Sequence, residues 1–322
     1  MTITTDDLIA LKARNLSWKE IATQTGMTWQ AARGRVRRAQ GNVIVDDLSS
    51  GLFNIIRNRG LDVPALPMLP MINTDSLIVT GDWHVPTSDW QFLGSMCEFA
   101  LRNMRKGQRR MALVGDLFNF DGLSGYEHTS IPSTISQEIA AAETVIDYVM
   151  TVFDEIYFAV GNHDQRFTKF LSGSFGVERL ARLFTRNIQT GRFKATDLRQ
   201  METVNGGIHY RLTHQRNYSR NKGIVASQLC LKYQTNVITH HQHHVGLGRD
   251  VFNRYTWIDN GMMADYRKMD YVMNSDSTSP VMCTGFTFLR NGTAHLLTPY
   301  ATITDWDMWK MGNVIRLQEQ VA

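Results

Sequence analysis

The hydrophobic pattern from residue 76 onward alternates between strand-like and helix-like runs. Three apolar runs, "SLIVTGDWH", "RRMALVGDLFN" and "EIYFAVGNHD", each end in polar residues, as buried strands often do. Between them, "DWQFLGSMCEFALRNMRKG" and "STISQEIAAAETVIDYVMTVF" have the apolar spacing of helices. The alternation predicts an α/β domain, in which ligands bind at the carboxyl ends of the strands.

After about Gly191 the apolar runs become shorter and richer in Thr, Tyr and Gly, which predicts a second sheet. "GGIHYRLTHQ" and "NVITHHQHH" are expected to be strands that end in histidines, and "NKGIVASQLCLKYQT" is expected to be a helix. Asn291 and Gly292 favour a hairpin turn near the end of this region.

The first forty residues have a different pattern, which predicts short helices joined by a tight turn. Ser17 and Glu20 form a capping box that starts one helix, and Gly26 ends it. Thr28 is expected to cap the next helix, from Trp29 to about Ala39. Helix, glycine turn and second helix in this order resemble a helix-turn-helix.

An earlier helix, from about Asp6 to Arg14, carries apolar residues that can pack against the other two. The second helix of the pair has an apolar face and a basic face. Arginines suit contacts with phosphates and guanine edges, although a small helical bundle with a solvated basic face has the same pattern. The candidate nucleic-acid-binding residues are Arg33, Arg35, Arg37 and Arg38.

The charge distribution strengthens the nucleic-acid interpretation. The chain has 322 residues and a net charge of +4. Residues 1–41 hold seven Lys or Arg and three Asp or Glu, so the whole excess lies there. An asymmetry of this kind points to a polyanionic partner.

These patterns predict a helix-turn-helix module over 1–41, a linker over 42–75 with three spaced prolines, and a catalytic domain over 76–322. The chain has no run of 18 apolar residues, so we expect no membrane span. Its three cysteines are far apart, which favours free thiols in a reducing compartment and a cytoplasmic protein.

Metal-binding side chains follow each predicted strand end. The segment "ITHHQHHVGLG" adds four histidines within five positions. If that segment is extended, His241 and His243 share a face and can bind metal together, whereas His240 and His244 point elsewhere. The candidate ligands are Asp82, His84, Asp116, Asn162, His214, His241 and His243.

This set has three oxygen donors, four imidazoles and no thiolate. Two divalent ions fit it if one carboxylate bridges them. The mixture suits Mn²⁺, Fe or Zn²⁺, and it disfavours Ca²⁺, which prefers an all-oxygen shell. A purely structural role would need seven separate coincidences at the ends of the strands.

The blocks "GDWH", "GDLFN", "GNHD", "TH" and "HHQH", in this order, resemble the calcineurin-like metallophosphoesterase superfamily. The resemblance covers roughly residues 76–300. It implies a four-layer α-β-β-α sandwich with two metal ions at the edge of the sheets. Two positions depart from the family pattern, because His240 replaces a usual glycine and Asn119 replaces a common aspartate.

The resemblance also implies roles for individual residues. His163 would stabilise the transition state or protonate the leaving oxygen, and Asp164 would orient it. Asp116 would bridge the two ions. One ion would be held by Asp82, His84, Asp116 and His243, and the other by Asp116, Asn162, His214 and His241.

Residues 203–249 contain several Lys and Arg but no Asp or Glu, which predicts a positive field beside the metals. The candidates for contacts with substrate phosphate are Arg166, Arg216, His240 and His244. We therefore predict a nuclease that acts on DNA with a hydroxide activated by two metal ions, for which Mn²⁺ is the expected metal and Fe or Zn²⁺ the alternatives. It resembles the DNA-repair nuclease branch of the superfamily and phosphoesterases of phage and prophage genomes.

Two other functions remain open from the sequence. One is a phosphatase or phosphodiesterase acting on nucleotides, cyclic nucleotides or phosphoproteins. The other is a DNA-binding regulator whose phosphoesterase domain senses a ligand. The sequence also leaves the oligomeric state open, a dimer included.

Overall fold

The computed structural model of the protein describes residues 3–37, 54–55, 68–125, 132–171, 176–269 and 282–299. The chain divides into two compact units, Met1–Pro67 and Met68–Ala322. Most of the predicted linker lies outside the described residues. Its last part contains the strand Met71–Asn73, which pairs with Gln200–Asn205 inside the second unit.

The first unit contains α1 (Thr5–Ala13), α2 (Trp18–Thr25) and α3 (29–37). The predicted capping box at Ser17 and Glu20 is present, and Gly26 ends α2 in the left-handed region with φ 67°. Oγ1 of Thr28 accepts a hydrogen bond from the amide of Ala31 at the start of α3. One buried residue comes from each of α1 and α2 and two come from α3: Leu8, Ile21, Ala32 and Val36.

The second unit contains two six-stranded sheets. The strands are β1 (Met71–Asn73), β2 (Ser76–Thr80), β3 (Arg110–Val114), β4 (Glu155–Ala159), β5 (Phe193–Thr196), β6 (Gln200–Asn205), β7 (Ile208–Thr213), β8 (Asn236–Thr239), β9 (Val245–Arg249), β10 (Thr256–Asn260), β11 (Phe286–Arg290) and β12 (Thr293–Leu297). The helices are α4 (Trp90–Asn103), α5 (Ile135–Met150), α6 (Asp164–Phe170), α7 (Val177–Phe184) and α8 (Ile224–Tyr233), with 3₁₀ turns at Asp121–Leu123 and Tyr266–Lys268.

The first sheet has the order β12-β11-β2-β3-β4-β5, and its strands β2 to β5 are parallel. The second sheet has the order β1-β6-β7-β8-β10-β9, with β7, β8 and β10 parallel. The predicted hairpin at Asn291 and Gly292 joins β11 to β12, and both turn residues have positive φ, as a tight hairpin turn requires.

Alternate residues of β2 face two different cores, which establishes the layering. Ile78 packs with the buried residues of α4, α5 and α7. Leu77 and Val79 pack with Leu212 and Ile238 of the second sheet. Helix α8 lies against β8 and β10 on the outside of that sheet. The predicted α/β sandwich, with helices preceding it, is confirmed.

Two features of the sequence analysis concern the environment of the chain. Among the described residues, no helix combines the length and the apolar character that a membrane crossing needs. Cys97 and Cys230 are buried free thiols, as predicted, whereas Cys283 is partly exposed.

Candidate metal centre

The predicted ligands meet at one edge of the two sheets. Each lies just after the carboxyl end of a strand, where parallel strands deliver their loops to the same place. Strands β2, β3 and β4 deliver the ligands of the first sheet, and β7 and β8 deliver those of the second. The groups that could hold an ion are Asp82, His84 and His243; His84, Asp116 and His163; and Asp116, His214 and His241.

The first group places two imidazoles and a carboxylate around one point. Nε2 of His84 lies 3.2 Å from Nε2 of His243, which in turn lies 3.4 Å from Oδ1 of Asp82. That carboxylate oxygen is buried and has no hydrogen-bond partner among the described residues. Two ring nitrogens that face each other beside an unsatisfied carboxylate oxygen are suited to a shared cation.

Asp116, His214 and His241 form another of these groups, and Asn162 lies beside them. Nε2 of His214 is 3.3 Å from Oδ2 of Asp116 and 2.9 Å from Oδ1 of Asn162. The ring of His241 lies 5.1 Å from that of His214, centre to centre. Oδ2 of Asp116 is also 3.9 Å from Nε2 of His84, so this carboxylate stands between the two groups. The mixture of carboxylate, amide and imidazole donors fits a pair of divalent ions.

The backbone at this edge adopts an uncommon conformation that brings the side chains together. Left-handed φ angles between 45° and 78° occur at Asp82, His84, Asp116, His241 and His243. Asp and His adopt this region more readily than most residues, but each strained position costs on the order of 1–3 kcal/mol. Backbone hydrogen bonds hold the strained turns, among them Asp82 N to Gly115 O at 2.9 Å and His84 N to Asp116 O at 3.0 Å.

This backbone corrects one sequence-based argument. Strand β8 ends at Thr239, and the histidine segment after it is not extended. His241 and His243 therefore do not share a face by strand alternation. They belong to different groups. His241 lies with Asp116 and His214, whereas His243 lies with Asp82 and His84.

Two glycines allow the loops to approach this closely. A Cβ at Gly115 would overlap the ring of His214, and a Cβ at Gly161 would overlap the carboxylate of Asp116. Gly115 also has φ 83°, which other residues rarely adopt. The glycines that precede the polar strand ends are thus required by the packing of the centre.

The charges of the centre favour ligands in their metal-binding forms. Burial alone would raise the pKa of Asp82, but the imidazoles of His243 and His214 hold it well below its usual range. Asp116 is likewise buried, and His214 and His163 lower its pKa. Burial lowers the pKa of His241 to about 4, and the charge of His214 adds to this effect. Ionised carboxylates and neutral imidazoles are the forms that bind divalent ions. His214 is the exception, because its burial is outweighed by Asp116 and Asp82, which raise its pKa to about 9, so an ion would displace this proton on binding.

His240, which replaces the usual glycine, supports Asp82 from behind. Nδ2 of Asn260 donates to Nε2 of His240 at 3.1 Å, so the proton lies on Nδ1, which is 3.2 Å from Oδ2 of Asp82. Asn260 also donates to the carbonyl of Val79 and accepts from Oγ1 of Thr287. His240 is buried with both ring nitrogens engaged, a position that suits holding Asp82 and not contact with substrate.

His163 lies at the side of the centre, held by the carboxylate of Asp116 and the backbone carbonyl of Asn119. Its amide donates to Oδ1 of Asp116 at 2.8 Å, and its Nδ1 is 2.7 Å from the carbonyl of Asn119. Because a carbonyl only accepts, Nδ1 carries the proton, so Nε2 accepts from Nη2 of Arg166 and lies 4.0 Å from Oδ2 of Asp116. Both oxygens of Asp164 accept backbone hydrogen bonds, from Gly161 and Phe118. Asn119, and not the predicted Asp164, therefore orients the ring.

The other predicted substrate contacts lie in three different surroundings. Nη1 of Arg166 binds the carbonyl of Asn119 and Oδ1 of Asp121, both at 2.9 Å, and its Nη2 lies 3.2 Å from Nε2 of His163. Arg216 is exposed and lines a cavity next to His214. His244 is buried, and its Nδ1 has no partner in the part of the chain that the structure describes.

Residues at the end of β10 were missed by the sequence analysis. Asp259 accepts hydrogen bonds from the amide of Gly223 and from Oγ1 of Thr239, which fixes the start of α8 beside the histidine loop. Asn260 holds His240 as described above. The stretch "YTWIDNG" carries the same signal as the other strand ends, an apolar run followed by polar residues and glycine, so it could have been found.

A comparison with known protein families agrees with this architecture. A family model described as calcineurin-like phosphoesterase matches residues 76–278. Similar solved structures include Vps29 of Chaetomium thermophilum, 8% identical over 66% of this chain and 82% of that chain with a TM-score of 0.37. Vps29 of Entamoeba histolytica complexed with Zn²⁺ is 12% identical over 69% of this chain and 97% of that chain, with a TM-score of 0.33.

A protein of Streptococcus pneumoniae described as a predicted phosphoesterase is 10% identical over 70% of this chain and 89% of that chain, with a TM-score of 0.32. A comparison with curated proteins found no match.

Proposed function

The chain belongs to the calcineurin-like phosphoesterase family, and on this basis we propose that it is a metal-dependent nuclease that hydrolyses phosphodiester bonds of DNA. Membership of the family supports a hydrolase of phosphoric esters. The choice of DNA as substrate is the finer part of the proposal, and it depends on the first unit of the chain.

Two divalent ions fit the donors of the centre. Asp82, His84, Asp116 and His243 would hold one of them, and Asp116, Asn162, His214 and His241 would hold the other. Mn²⁺ is the ion we propose, with Fe or Zn²⁺ as alternatives, because the donors mix oxygen with imidazole nitrogen. When bound, such ions lower the pKa of water and neutralise charge on a phosphate.

Residues beside the centre can act on the leaving group. Burial lowers the pKa of His163, and Arg166 adds to this effect, while Asp116 opposes it. A phosphate anion that took over the hydrogen bond of Arg166 Nη2 would free Nε2 of His163 and favour the protonated ring, which could then donate its proton to the leaving oxygen. Asn119 keeps Nδ1–H fixed during this step, and Arg166, anchored on Asp121, adds positive charge beside the phosphate.

The basic helix of the first unit is the observation that carries the proposal of DNA. Helices α2 and α3 are joined through Gly26, and α3 buries Ala32 and Val36 while it exposes Arg33, Arg35 and Arg37. In a helix-turn-helix the second helix enters the major groove. Nη1 of Arg35 also donates to the carbonyl of Ile3, and Arg38 lies outside the described residues.

Parallel assays on simple and polymeric substrates test the proposal. The protein is incubated with Mn²⁺ and plasmid DNA, linear DNA or RNA, and separately with p-nitrophenyl phosphate and its bis ester. We expect cleavage of DNA and of the bis ester. Hydrolysis of the monoester alone would instead indicate a phosphatase, and no hydrolysis of any ester would favour a regulator that binds DNA.

An Asp116→Asn variant is the control for the role of the centre. Substituting a group that merely supports a ligand typically costs 10–100-fold, so loss of the shared carboxylate should reduce hydrolysis of both esters by more than about 100-fold. Retained activity would show that the hydrolysis comes from a contaminant or from another site.

A further inference from the structure

A cavity of about 530 Å³ lies directly beside the metal centre, and His214 lines it. Its other walls come from the segment between β5 and β6, the segment after β7, and α8. A volume of this size holds a ligand larger than one phosphate group. The cavity is therefore a candidate site for the part of a substrate that continues past the centre.

The cavity contains a buried amide that needs a partner. Gln215 follows His214, is only 7% exposed, and lines the cavity. Neither Oε1 nor Nε2 of its side chain has a hydrogen-bond partner in the described ranges. Buried amides in native proteins are almost always satisfied, so the group is suited to bind a ligand or an ordered water.

Cationic side chains surround the same space. Arg199, Arg216 and Lys232 line the cavity, and Arg199 is fixed because its Nε and Nη2 both donate to Oε1 of Gln165. Burial lowers the pKa of the Arg199 guanidinium, Asp116 opposes this shift, and the charge of Arg216 adds to it. Two guanidiniums that line one cavity favour an anion between them.

The remaining residues that line the cavity are also compatible with a bound nucleotide. Asp197 also lines the cavity, and its Oδ1 already accepts the amide of Val177 at 2.8 Å. Val225 and Leu229 of α8 supply an apolar wall next to the cations. Cations, an amide and an apolar wall together match the phosphate and the sugar or base of one nucleotide.

We propose that this cavity binds the nucleotide adjacent to the phosphodiester at the metal centre, with its phosphate on Arg199, Arg216 and Lys232 and its polar groups on Gln215. The inference deepens the proposed function and rests on it. It assigns the enzyme to substrates with at least two consecutive nucleotides, because a simple phosphoester leaves the cavity empty.

Binding without metal tests the cavity independently of catalysis. Thymidine 5′-monophosphate is titrated into the full-length protein in EDTA, and binding is followed by calorimetry. The double variant Arg216→Gln/Lys232→Gln changes exposed side chains, so it should fold, and it should weaken binding by about tenfold or more. Arg102→Gln, which changes a cation on α4 that pairs with Glu98, is the matched control and should bind as the wild type does.

Equal affinity of the double variant and the wild type, or no binding to the wild type, would overturn the proposal. Loss of binding in both variants alike would also overturn it, because the effect would not be specific to the cavity. This binding measurement does not depend on nuclease activity. It therefore distinguishes failure of the cavity proposal from failure of the proposed nuclease function.

A second comparison uses the loaded enzyme and tests what the cavity receives. The double variant should lower kcat/KM for the dinucleotide pTpT, relative to the bis ester, by about tenfold. An unchanged ratio would overturn the proposal. A lower rate on ADP, with no change on pTpT, would mean that the cavity serves a pyrophosphate and not a polynucleotide.

Discussion

Glu138 is buried under the loop that orients His163. Its Oε2 accepts hydrogen bonds from the amides of Asn119 and Phe120, at 3.1 and 2.7 Å. Burial nevertheless raises its pKa from 4.5 to about 8, and Asp121 adds to the increase. Because the folded chain binds this proton more tightly, its contribution to stability is complete below about pH 4.5 and is lost as the pH rises through about 8.

We expect the free energy of unfolding to fall by up to about 1.4 kcal/mol per pH unit between roughly pH 5 and 8, and Glu138→Gln should remove this part of the slope. Urea unfolding in EDTA at several pH values measures it. Glu143→Gln, on the same helix but paired with Arg186 at the surface, is the control. Equal slopes of the unfolding free energy against pH in Glu138→Gln and Glu143→Gln would contradict this prediction.

Residue types at the centre could be predicted, but their backbone could not. Strand ends with Asp, His and Asn were recognisable because an apolar run and a glycine precede them. The left-handed angles of His241 and His243 were not, because distant groups impose them: the amide of His241, for example, donates to Oδ2 of Asp82 at 2.9 Å. Asn119 and Asn260 were missed as positioning residues for the same reason.

Helix α2 depends on its N-terminal cap because it is only eight residues long. Oγ of Ser17 accepts the amide of Glu20 at 3.3 Å, and Oε2 of Glu20 accepts the amide of Ser17 at 2.7 Å. Ser17→Ala should lower the free energy of opening of α2 by about 1 kcal/mol. Hydrogen exchange of the α2 amides measures this energy.

Thr23→Ala changes another exposed hydroxyl of the same helix, one that donates to the carbonyl of Lys19. It should leave the exchange of α2 unchanged or slow it, because alanine is the better helix former. Equal protection loss in both variants would argue against the capping role.

Elements with a strong local pattern could be predicted, and the edge strand β9 could not. The central strands β2, β3 and β4 are nearly continuous apolar runs. Strand β9 contains Gly246 and Gly248, although glycine is unusual inside strands. Glycine is needed there because the ring of Trp257 on β10 occupies the space where a side chain would lie. This pairing depends on contacts between strands and leaves no local signal.

At the scale of the whole molecule, the dependence of binding on salt tests the proposed role of the first unit as a DNA-binding module. Each phosphate contact contributes about 0.9 to the slope of log K against log salt. Arg33→Ala combined with Arg37→Ala should therefore reduce the slope by about 2. Anisotropy with labelled duplex DNA in EDTA measures it, in an Asp116→Asn background that prevents cleavage.

Arg14→Ala is the control, because Arg14 lies at the end of α1 and outside the basic helix. The same slope in the double variant and the wild type would remove α3 from the DNA interface. The sequence located this charge correctly within the chain, but the side chains that line the proposed nucleotide cavity, such as Arg199, meet only in the fold.

The centre takes its donors from both sheets, with Asp82 and Asp116 from the first and His214 and His241 from the second. Any ion held there would be a cross-link between the two halves of the sandwich, available only after they have assembled. By mass action, ions that bind the native chain more tightly than the unfolded one raise the resistance to denaturation with their concentration. The concentration of available metal would then determine the stability of the folded protein as well as its catalytic rate.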